Sequence, residues 1–369
     1  MLSSGSEAAV TRKRTINVGG RTEKLRVASE ASAAYEFLLS LSAYLQPDVH
    51  STLEEPPLAK DRSAELSSAF QQAAAKVGDH SGRAWLELLP LVREPRLCHS
   101  GAELLERVAA LPPEELRLTL LGYFGECGSR PGAQTLIRAA ANGDSGAQRT
   151  LYADPEYFDG MGRQLASLFA LGERQTRSQA MTVLRRWYGE VFSKREPIVR
   201  PILERDSEAK RALLASVAPE RALEIASGIE WGDVPGGAEV ALVPQLALRP
   251  FVISVMRGSM WILCHPVASE SLTEDPTAPS SHMLRILKAL ADERRLRTLR
   301  ALPPEGASLQ DMTKRLGWPK TTVHHHLLVL RSAGLVRSTA DRRFVPRLNV
   351  IPEAIASVER YLREDQGQG

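Results

Sequence analysis

The sequence predicts a mainly α-helical chain of the α+β class, with one small antiparallel sheet. Three observations lead to this fold class. Apolar residues recur at helical spacing through most of the 369 residues. In the N-terminal part, short runs rich in β-formers are confined to residues 22–28 and 239–266. A stretch rich in Ser, Thr and Pro at 271–281 reads as a linker between a large N-terminal domain and a small C-terminal one.

Composition places the chain among ordinary globular proteins, with 43% hydrophobic and 25% charged residues. Its three cysteines lie far apart, without the spacing of a zinc site or a disulfide framework. The N-terminus carries charge with no apolar run behind it, which does not fit a secretory signal. The most apolar window, Phe251–Val267, is short and interrupted by Arg257 and His265, so we expect no membrane segment and a cytoplasmic location.

The N-terminal domain, predicted over residues 15–270, begins with a strand near Leu25–Val27 and continues as a series of helices. The three runs in 239–266 are expected to form antiparallel strands that can pair with the early strand. The helical windows are Glu30–Leu45, Ala59–Val77, Gly101–Ala110, Pro113–Tyr123, Gly132–Ala141, Met161–Phe192 and Ile198–Ile225.

Charge is distributed unevenly along the chain, although the net charge is only +3. Residues 282–350 hold 14 Lys and Arg against 5 Asp and Glu, a net charge of +9. Residues 1–281 carry −4 and the C-terminal helix and tail, 351–369, carry −2. Such asymmetry indicates a module that binds a polyanion, joined to a body with a different task.

Within 282–350, short helices with tight connections follow one another. Asp292 is placed to cap the second helix, and Ser308 and Asp311 have the spacing of a capping box on the third. Gly317 then supplies a helix stop, and Pro319 suits the first turn of the next helix. Two further strands with a basic turn between them complete a hairpin, or wing.

The helix predicted over Lys320–Ala333 divides into an apolar face and a polar N-terminal part. A recognition helix reads base edges in the major groove with its first turns, where short polar side chains let it approach the bases. The arginines of the helix end and the wing are suited to phosphates. The candidate DNA-binding residues are Lys320, Thr321, Thr322, His324, His325, Arg331, Arg342 and Arg343.

These residues resemble the winged helix-turn-helix of the ArsR family of bacterial transcription regulators. The similarity rests on LADERRLRTLRAL, on SLQDMTKRLGWPKTTVHHHLLVLRSAGLV and on the basic wing, about a fifth of the chain. The resemblance implies a homodimer on double-stranded operator DNA that acts as a repressor relieved by an effector. The N-terminal part resembles an uncharacterised domain fused to ArsR-type DNA-binding domains, which implies only a regulatory role. We expect this domain to dimerise, to sense a ligand or to do both.

Two departures from the family bear on metal sensing and on the helix start. The helix before recognition, LQDMTKRL, has no Cys or His, and the last helix, about Pro352–Leu362, has no His, so we expect no metal site. Consecutive histidines on a helix point about 100° apart, so His324, His325 and His326 cannot converge on one ion. His326 is expected to pack inside. Pro319 stands where relatives commonly place a capping Ser.

Other assignments stay open at this point. Four arginines of the second helix fit phosphate contacts and a solvated face equally well: Arg294, Arg295, Arg297 and Arg300. The aromatic residues of the body fit a ligand cavity or a core: Tyr35, Trp85, Tyr123, Phe124, Trp187, Tyr188 and Trp231. No common catalytic motif is present, so we expect neither an enzyme nor a bound cofactor. The alternative function is a module whose winged helix docks a protein partner without DNA.

Overall fold

The computed structural model describes residues 25–46, 50, 53–54, 66–77, 82–227, 238–272, 281–339, 343–348 and 350–364. The helices before residue 228 are α1 (Ala33–Tyr44), α2 (Ser68–Val77), α3 (Gly82–Leu86), α4 (Pro90–Arg93), α5 (Gly101–Ala110), α6 (Pro113–Leu120), α7 (Glu126–Ser129), α8 (Ala133–Ala141), α9 (Ser145–Ala153), α10 (Ala166–Ala170), α11 (Glu173–Glu190), α12 (Glu196–Ser216) and α13 (Pro219–Ser227). Short 3₁₀ helices are Tyr157–Gly160, Gly162–Leu165, Phe192–Lys194 and Ser269–Ser271.

The strands of this part are β1 (Arg26–Ser29), β2 (Glu239–Gln245), β3 (Ile253–Arg257) and β4 (Met260–Pro266). The C-terminal part contains α14 (Ser281–Leu290), α15 (Glu293–Ala301), β5 (Ala307–Ser308), α16 (Leu309–Leu316), α17 (Lys320–Ser332), β6 (Val336–Ser338), β7 (Arg343–Pro346) and α18 (Val350–Glu364). The predicted fold class, mainly α-helical with small sheets, is confirmed.

Two of the predicted long helices are broken. The window Met161–Phe192 becomes a 3₁₀ turn, α10 and α11, with the chain extended at Leu171 and Gly172. The window Ile198–Ile225 divides into α12 and α13 before Pro219, because the residue preceding a proline is disfavoured in the helical conformation.

The prediction of a wholly antiparallel sheet is wrong. The sheet has the order β1-β2-β4-β3, in which β1 pairs parallel with β2, and β2 parallel with β4. Only β3 and β4 form the expected antiparallel hairpin, whose turn contains Gly258 with φ +62°. Strand β3 lies at the edge of the sheet, and β4 lies between β3 and β2. The two central strands, β2 and β4, run in the same direction. The early strand does join this sheet, as expected.

The core of the N-terminal part lies between the helices and one face of the sheet. Its largest fully buried side chains include Tyr35, Trp85 and Trp187, so these aromatic residues form core. Trp187 Nε1 donates to Ser40 Oγ at 3.2 Å. Tyr123, Phe124 and Tyr188 are partly buried at the edge of this core, and Trp231 lies outside the described residues.

The C-terminal part has its own hydrophobic core, built around Met312, Val323, Leu327, Leu330 and Phe344. Packing of α15, α16 and α17 around these side chains fixes the position of α17. The three-stranded sheet, β5-β7-β6, covers one side of this core.

The junction between the two parts is anchored on α12. Asp206 is fully buried, and its Oδ1 accepts from Ala268 N at 2.7 Å and from Ser271 Oγ at 3.0 Å. The Arg205 guanidinium donates to Ser271 O. From the other side, α14 packs on the 3₁₀ helix Ser269–Ser271.

Candidate nucleic-acid interface

A short helix, a tight turn and a second helix form the centre of the C-terminal part. The predicted capping box is confirmed at α16: Ser308 Oγ accepts from Asp311 N, and Asp311 Oδ2 accepts from Ser308 N, both at 3.2 Å. Gly317 ends α16 in the left-handed conformation, with φ +67°. The chain then enters α17 through Trp318 and Pro319. These local signals set the angle between the two helices.

Pro319 precedes the first turn of α17 as its N-cap, in extended conformation, and makes no side-chain cap. The first N–H groups of α17 have no acceptor within the helix, because the residues that would supply one lie before its start. This end of the helix therefore carries uncapped donors and the positive end of the helix dipole, which suits an anionic group.

The two faces of α17 separate as predicted. Val323, Leu327 and Leu330 are fully buried in the C-terminal core. Three of the candidate DNA-binding residues of the same helix are exposed, namely Lys320, Thr321 and His324. Thr322 and His325 are half-buried, so they lie at the edge of this surface.

His324 lies in a cationic environment. Partial loss of water around its ring lowers the pKa of His324, and the nearby charges of Arg331 and Lys320 lower it further. The imidazole is consequently neutral at pH 7, with one ring nitrogen able to donate and the other to accept. A neutral histidine of this kind can contact base edges of either character.

His326 is packed inside, as predicted. It is 7% exposed, and burial lowers its pKa. The His326 ring meets the Trp318 ring edge-on, with the ring centroids 6.0 Å apart. The Arg294 guanidinium lies over the same Trp318 ring, 6.0 Å from its centroid. This contact holds the turn before α17 against α15.

The wing is formed by β6 and β7, with β5 pairing along the outer side of β7. The sequence places Arg343 in the turn, whereas in the structure it is the first residue of β7. Its Nη2 donates to Gly306 O at 2.5 Å, so this guanidinium is tied to the base of the wing. Arg342 lies outside the described residues.

Arg331 lies near the end of α17, eleven residues after Lys320, and is half-buried. Burial lowers the pKa of its guanidinium. The structure thus groups Lys320, Thr321 and His324 on one surface, with Arg331 further along the same side of the helix and Arg343 at the wing base.

The arginines of α15 serve several contacts. Arg295 donates to the carbonyls of Ala289 and Lys288, which closes the end of α14. Arg297 pairs with Glu293 at 2.5 Å on the exposed face. Arg300 is exposed.

Sequence reasoning missed Lys314, which is exposed in the last turn of α16, next to the recognition helix. The available signal was the pair of basic residues, Lys314 and Arg315, directly before Gly317. Arg315 Nη1 donates to Ala301 O at 2.6 Å, which places this guanidinium on the backbone of α15.

No group of three or more His, Cys, Asp or Glu suited to a metal ion occurs in the part of the chain that the structure describes. Nor does any helix among the residues placed by the structure combine the length and apolar character needed to cross a bilayer.

Comparison with known families matches a segment of the C-terminal part. A family model described as a helix-turn-helix domain covers residues 284–339. This segment is a helix-turn-helix domain. It spans α14 to α17 and the first strand of the wing, and it indicates DNA-binding regulation. Searches of curated proteins and of solved structures returned no match.

Proposed function

We propose that the protein is a homodimeric transcriptional regulator of the ArsR type, a cytoplasmic repressor whose winged helix binds operator DNA. The observation that carries this proposal is the N-terminal half of α17. There Lys320, Thr321 and His324 are exposed together at an uncapped helix end, while Val323, Leu327 and Leu330 of the same helix are buried.

In this proposal affinity and sequence preference come from different side chains. Lys320, Arg342 and Arg343 neutralise phosphates, with Arg331 contributing along the same side of α17. Thr321 and His324 read base edges, and the half-buried Thr322 and His325 support them at the edge of the surface. Phosphate contacts position a protein without specifying sequence, whereas contacts to base edges specify it.

The test is a titration of full-length protein against its own promoter fragment and against a scrambled fragment, at several salt concentrations. Affinity for both fragments is expected to fall linearly on a log–log plot, by a slope of about −0.9 per phosphate contacted. A slope near zero would exclude DNA binding through this cationic surface.

Paired variants separate the two kinds of contact. Thr321→Ala with His324→Ala should reduce the preference for the promoter fragment by about tenfold and leave affinity for scrambled DNA nearly unchanged. Thr322→Ala with His325→Ala, the half-buried pair, is the matched comparison and should have the smaller effect. Equal losses on both fragments would show that these side chains do not read bases.

The alternative, a winged helix that docks a protein partner, remains distinguishable by the same experiment. The net charge of +9 on residues 282–350 favours DNA, because a protein interface has no general need for such a charge. A protein that shows no mobility shift at low salt with any fragment would favour the alternative.

The homodimer is supported by α18. Ile355, Tyr361 and Leu362 are large apolar side chains that remain exposed on this helix, with Ile355 and Leu362 seven residues apart and therefore on one face. Covering this face with the same face of a second copy would place two α17 helices on one duplex, as a palindromic operator requires.

Sedimentation equilibrium on the full-length protein tests the dimer. Ile355→Glu with Leu362→Glu is expected to shift the protein toward monomer and to weaken binding to a two-half-site fragment more than to a single half-site. A matched change of two exposed residues elsewhere, Ile198→Glu with Ile225→Glu, should leave the association state unchanged.

In the same proposal the N-terminal part senses a small-molecule effector, and effector binding releases the operator. The protein is then neither an enzyme nor dependent on a cofactor. Repression is tested by placing a reporter gene under its promoter and comparing expression with and without the protein. Higher reporter expression in the presence of the protein would overturn the assignment as repressor.

A further inference from the structure

A groove of about 590 Å³ opens on the N-terminal part, where α6, the end of α8, α10 and the start of α11 meet. The residues of the lining that matter here are Arg117, Asn142, Phe169, Gly172, Glu173 and Arg174. Of the aromatic residues singled out from the sequence, none that the structure describes lines it.

Arg117 of α6 is a cation held inside the wall of this groove. Its residue is only 7% exposed, although charged side chains are seldom buried without a partner. One guanidinium nitrogen, Nη2, donates to Phe169 O at 3.1 Å, and Nε has no hydrogen-bond partner. Burial lowers the pKa of Arg117, partly offset by nearby Glu173. The Arg117 guanidinium has no salt bridge among the described residues although it lines the groove, and an anion there would compensate its charge.

The start of α11 faces the same groove. Gly172 is its N-cap and has no side chain to cap the helix, and its own N–H is bonded to Gln175 Oε1 at 3.3 Å. The N–H groups of the first turn thus lie at an open helix end of an 18-residue helix. Exposed Arg174 adds a second cation at the rim, and Glu173 opposes it.

We propose that this groove binds a small organic anion, a carboxylate or a phosphate monoester, between the Arg117 guanidinium and the N-terminal amides of α11. Guanidinium groups and helix N-termini are the two protein features best suited to such oxyanions. Binding itself does not depend on DNA recognition. Use of the groove as the effector site rests on the function proposed above.

The first experiment is calorimetric titration of full-length protein, without DNA and at constant ionic strength, with sodium phosphate and separately with sodium succinate. Saturable binding of at least one probe with one site per chain is expected. No saturable binding of either probe would overturn the proposal. Whichever probe binds identifies the oxyanion chemistry that the groove prefers.

The decisive variant is Gly172→Asp. Gly172 has an ordinary φ of −74°, and an added Cβ would approach only Gln175 Oε1, at 4.0 Å, so the change is tolerated. An aspartate at this position caps α11 and places its own carboxylate where the ligand would bind, so affinity should fall by about tenfold or more. Gly172→Ala adds the Cβ alone and measures the steric part of the change, which the loss of affinity in Gly172→Asp should exceed by about tenfold. Unchanged affinity in Gly172→Asp would overturn the site.

Two variants at the rim of the groove should change the affinity for the anion in opposite directions and leave the structure nearly unchanged. Arg174→Gln should weaken binding by about threefold, and Glu173→Gln should strengthen it by about threefold, because each changes one charge at the helix end. Shifts of the same sign in both variants would contradict an anion site. Thermal unfolding without ligand checks that each variant is folded.

A mobility-shift assay then connects the groove to regulation. An effect of the bound anion on promoter binding in the wild type, absent in Gly172→Asp, supports the effector role. Saturable anion binding by a protein that does not bind DNA would overturn the proposed function and leave the anion site standing.

Discussion

Helices α17 and α11 both begin after a residue without a side-chain cap, Pro319 in one case and Gly172 in the other. Their surroundings differ. The start of α17 lies on an exposed surface beside Lys320 and His324, whereas the start of α11 opens into a groove beside buried Arg117. The same backbone charge can therefore be offered to a long polyanion or to a small molecule. The surrounding shape determines which of the two can reach it.

The largest expected effect is a double dissociation between these two helix ends. Lys320→Glu should weaken binding to the promoter fragment by about 100-fold, because it removes a phosphate contact and adds a repulsive charge. Arg174→Glu is the matched charge reversal at α11 and should leave DNA affinity within about twofold. Filter binding measures the DNA affinity of both variants, and calorimetry with phosphate checks that only Arg174→Glu weakens anion binding in the groove. Comparable losses of DNA affinity in both variants would break the comparison.

The second prediction tests whether the N-terminal part keeps its stability over the pH range of such assays. Burial lowers the pKa of His265 to about 4, and the charge of Lys210 adds to this shift. The folded state favours the neutral His265 ring, so its contribution to the free energy of unfolding is full above the unfolded pKa near 6.5 and is lost as the pH falls toward 4. Burial raises the pKa of Glu87 to about 7, so its contribution is present below 4.5 and is lost as the pH rises.

Between pH 4.5 and 6.5 each group should change the free energy of unfolding by about 2 kcal/mol, with opposite signs. Urea unfolding of the wild type should therefore vary little in this window. Glu87→Gln should become more stable as the pH rises, and His265→Gln less stable. Identical pH slopes in the two variants would contradict these burial effects.

Much of the C-terminal part could be predicted because its signals are local. The capping box of Ser308 and Asp311 and the stop at Gly317 act over a few residues, so the start and end of α16 follow from the sequence. The position of Arg343 could not be predicted, because its bond to Gly306 depends on pairing between β5 and β7.

Prediction was weaker for the N-terminal part because its contacts are distant in sequence. Arg26 pairs with Glu239, more than two hundred residues later, and no periodicity reveals whether such strands run parallel. The groove was missed for a related reason. Arg117 lies in a window that reads as an amphipathic helix, and only packing against α10 shows that this charge is buried. Gly172 was the usable signal, as a glycine inside a long helical window.

The third prediction contrasts Gly317, which ends α16 just before α17, with Gly172, the N-cap of α11. Gly317 has φ +67°, a conformation that costs other residues energy, so Gly317→Ala should lower the free energy of unfolding by about 1 kcal/mol. Gly172→Ala, with φ −74°, should raise it by about 0.5 kcal/mol, since alanine restricts the unfolded chain. Denaturant unfolding of both variants measures this difference. Equal signs would show that backbone conformation is not the main factor.

The smallest expected effect is a pH dependence of DNA binding that anion binding in the groove lacks. Burial, together with neighbouring cations, holds the pKa of His324 below its ordinary value, and nearby phosphates would raise it. The bound state then takes up a proton, so DNA affinity should increase by about threefold from pH 7.5 to pH 6. His324→Gln should abolish this increase. A pH response that persists in His324→Gln would assign it to another group.

The anchoring of the chain on Asp206 has a consequence for the choice of operator. Asp206 fixes Ala268 and Ser271 to α12, so each copy of the N-terminal part determines the point from which its DNA-binding segment departs. In the proposed dimer, this departure point would act together with the α18 contact in setting the distance between the two half-sites. Changing Asp206→Ala would free that departure point, and operators of different half-site spacing would become more nearly equivalent.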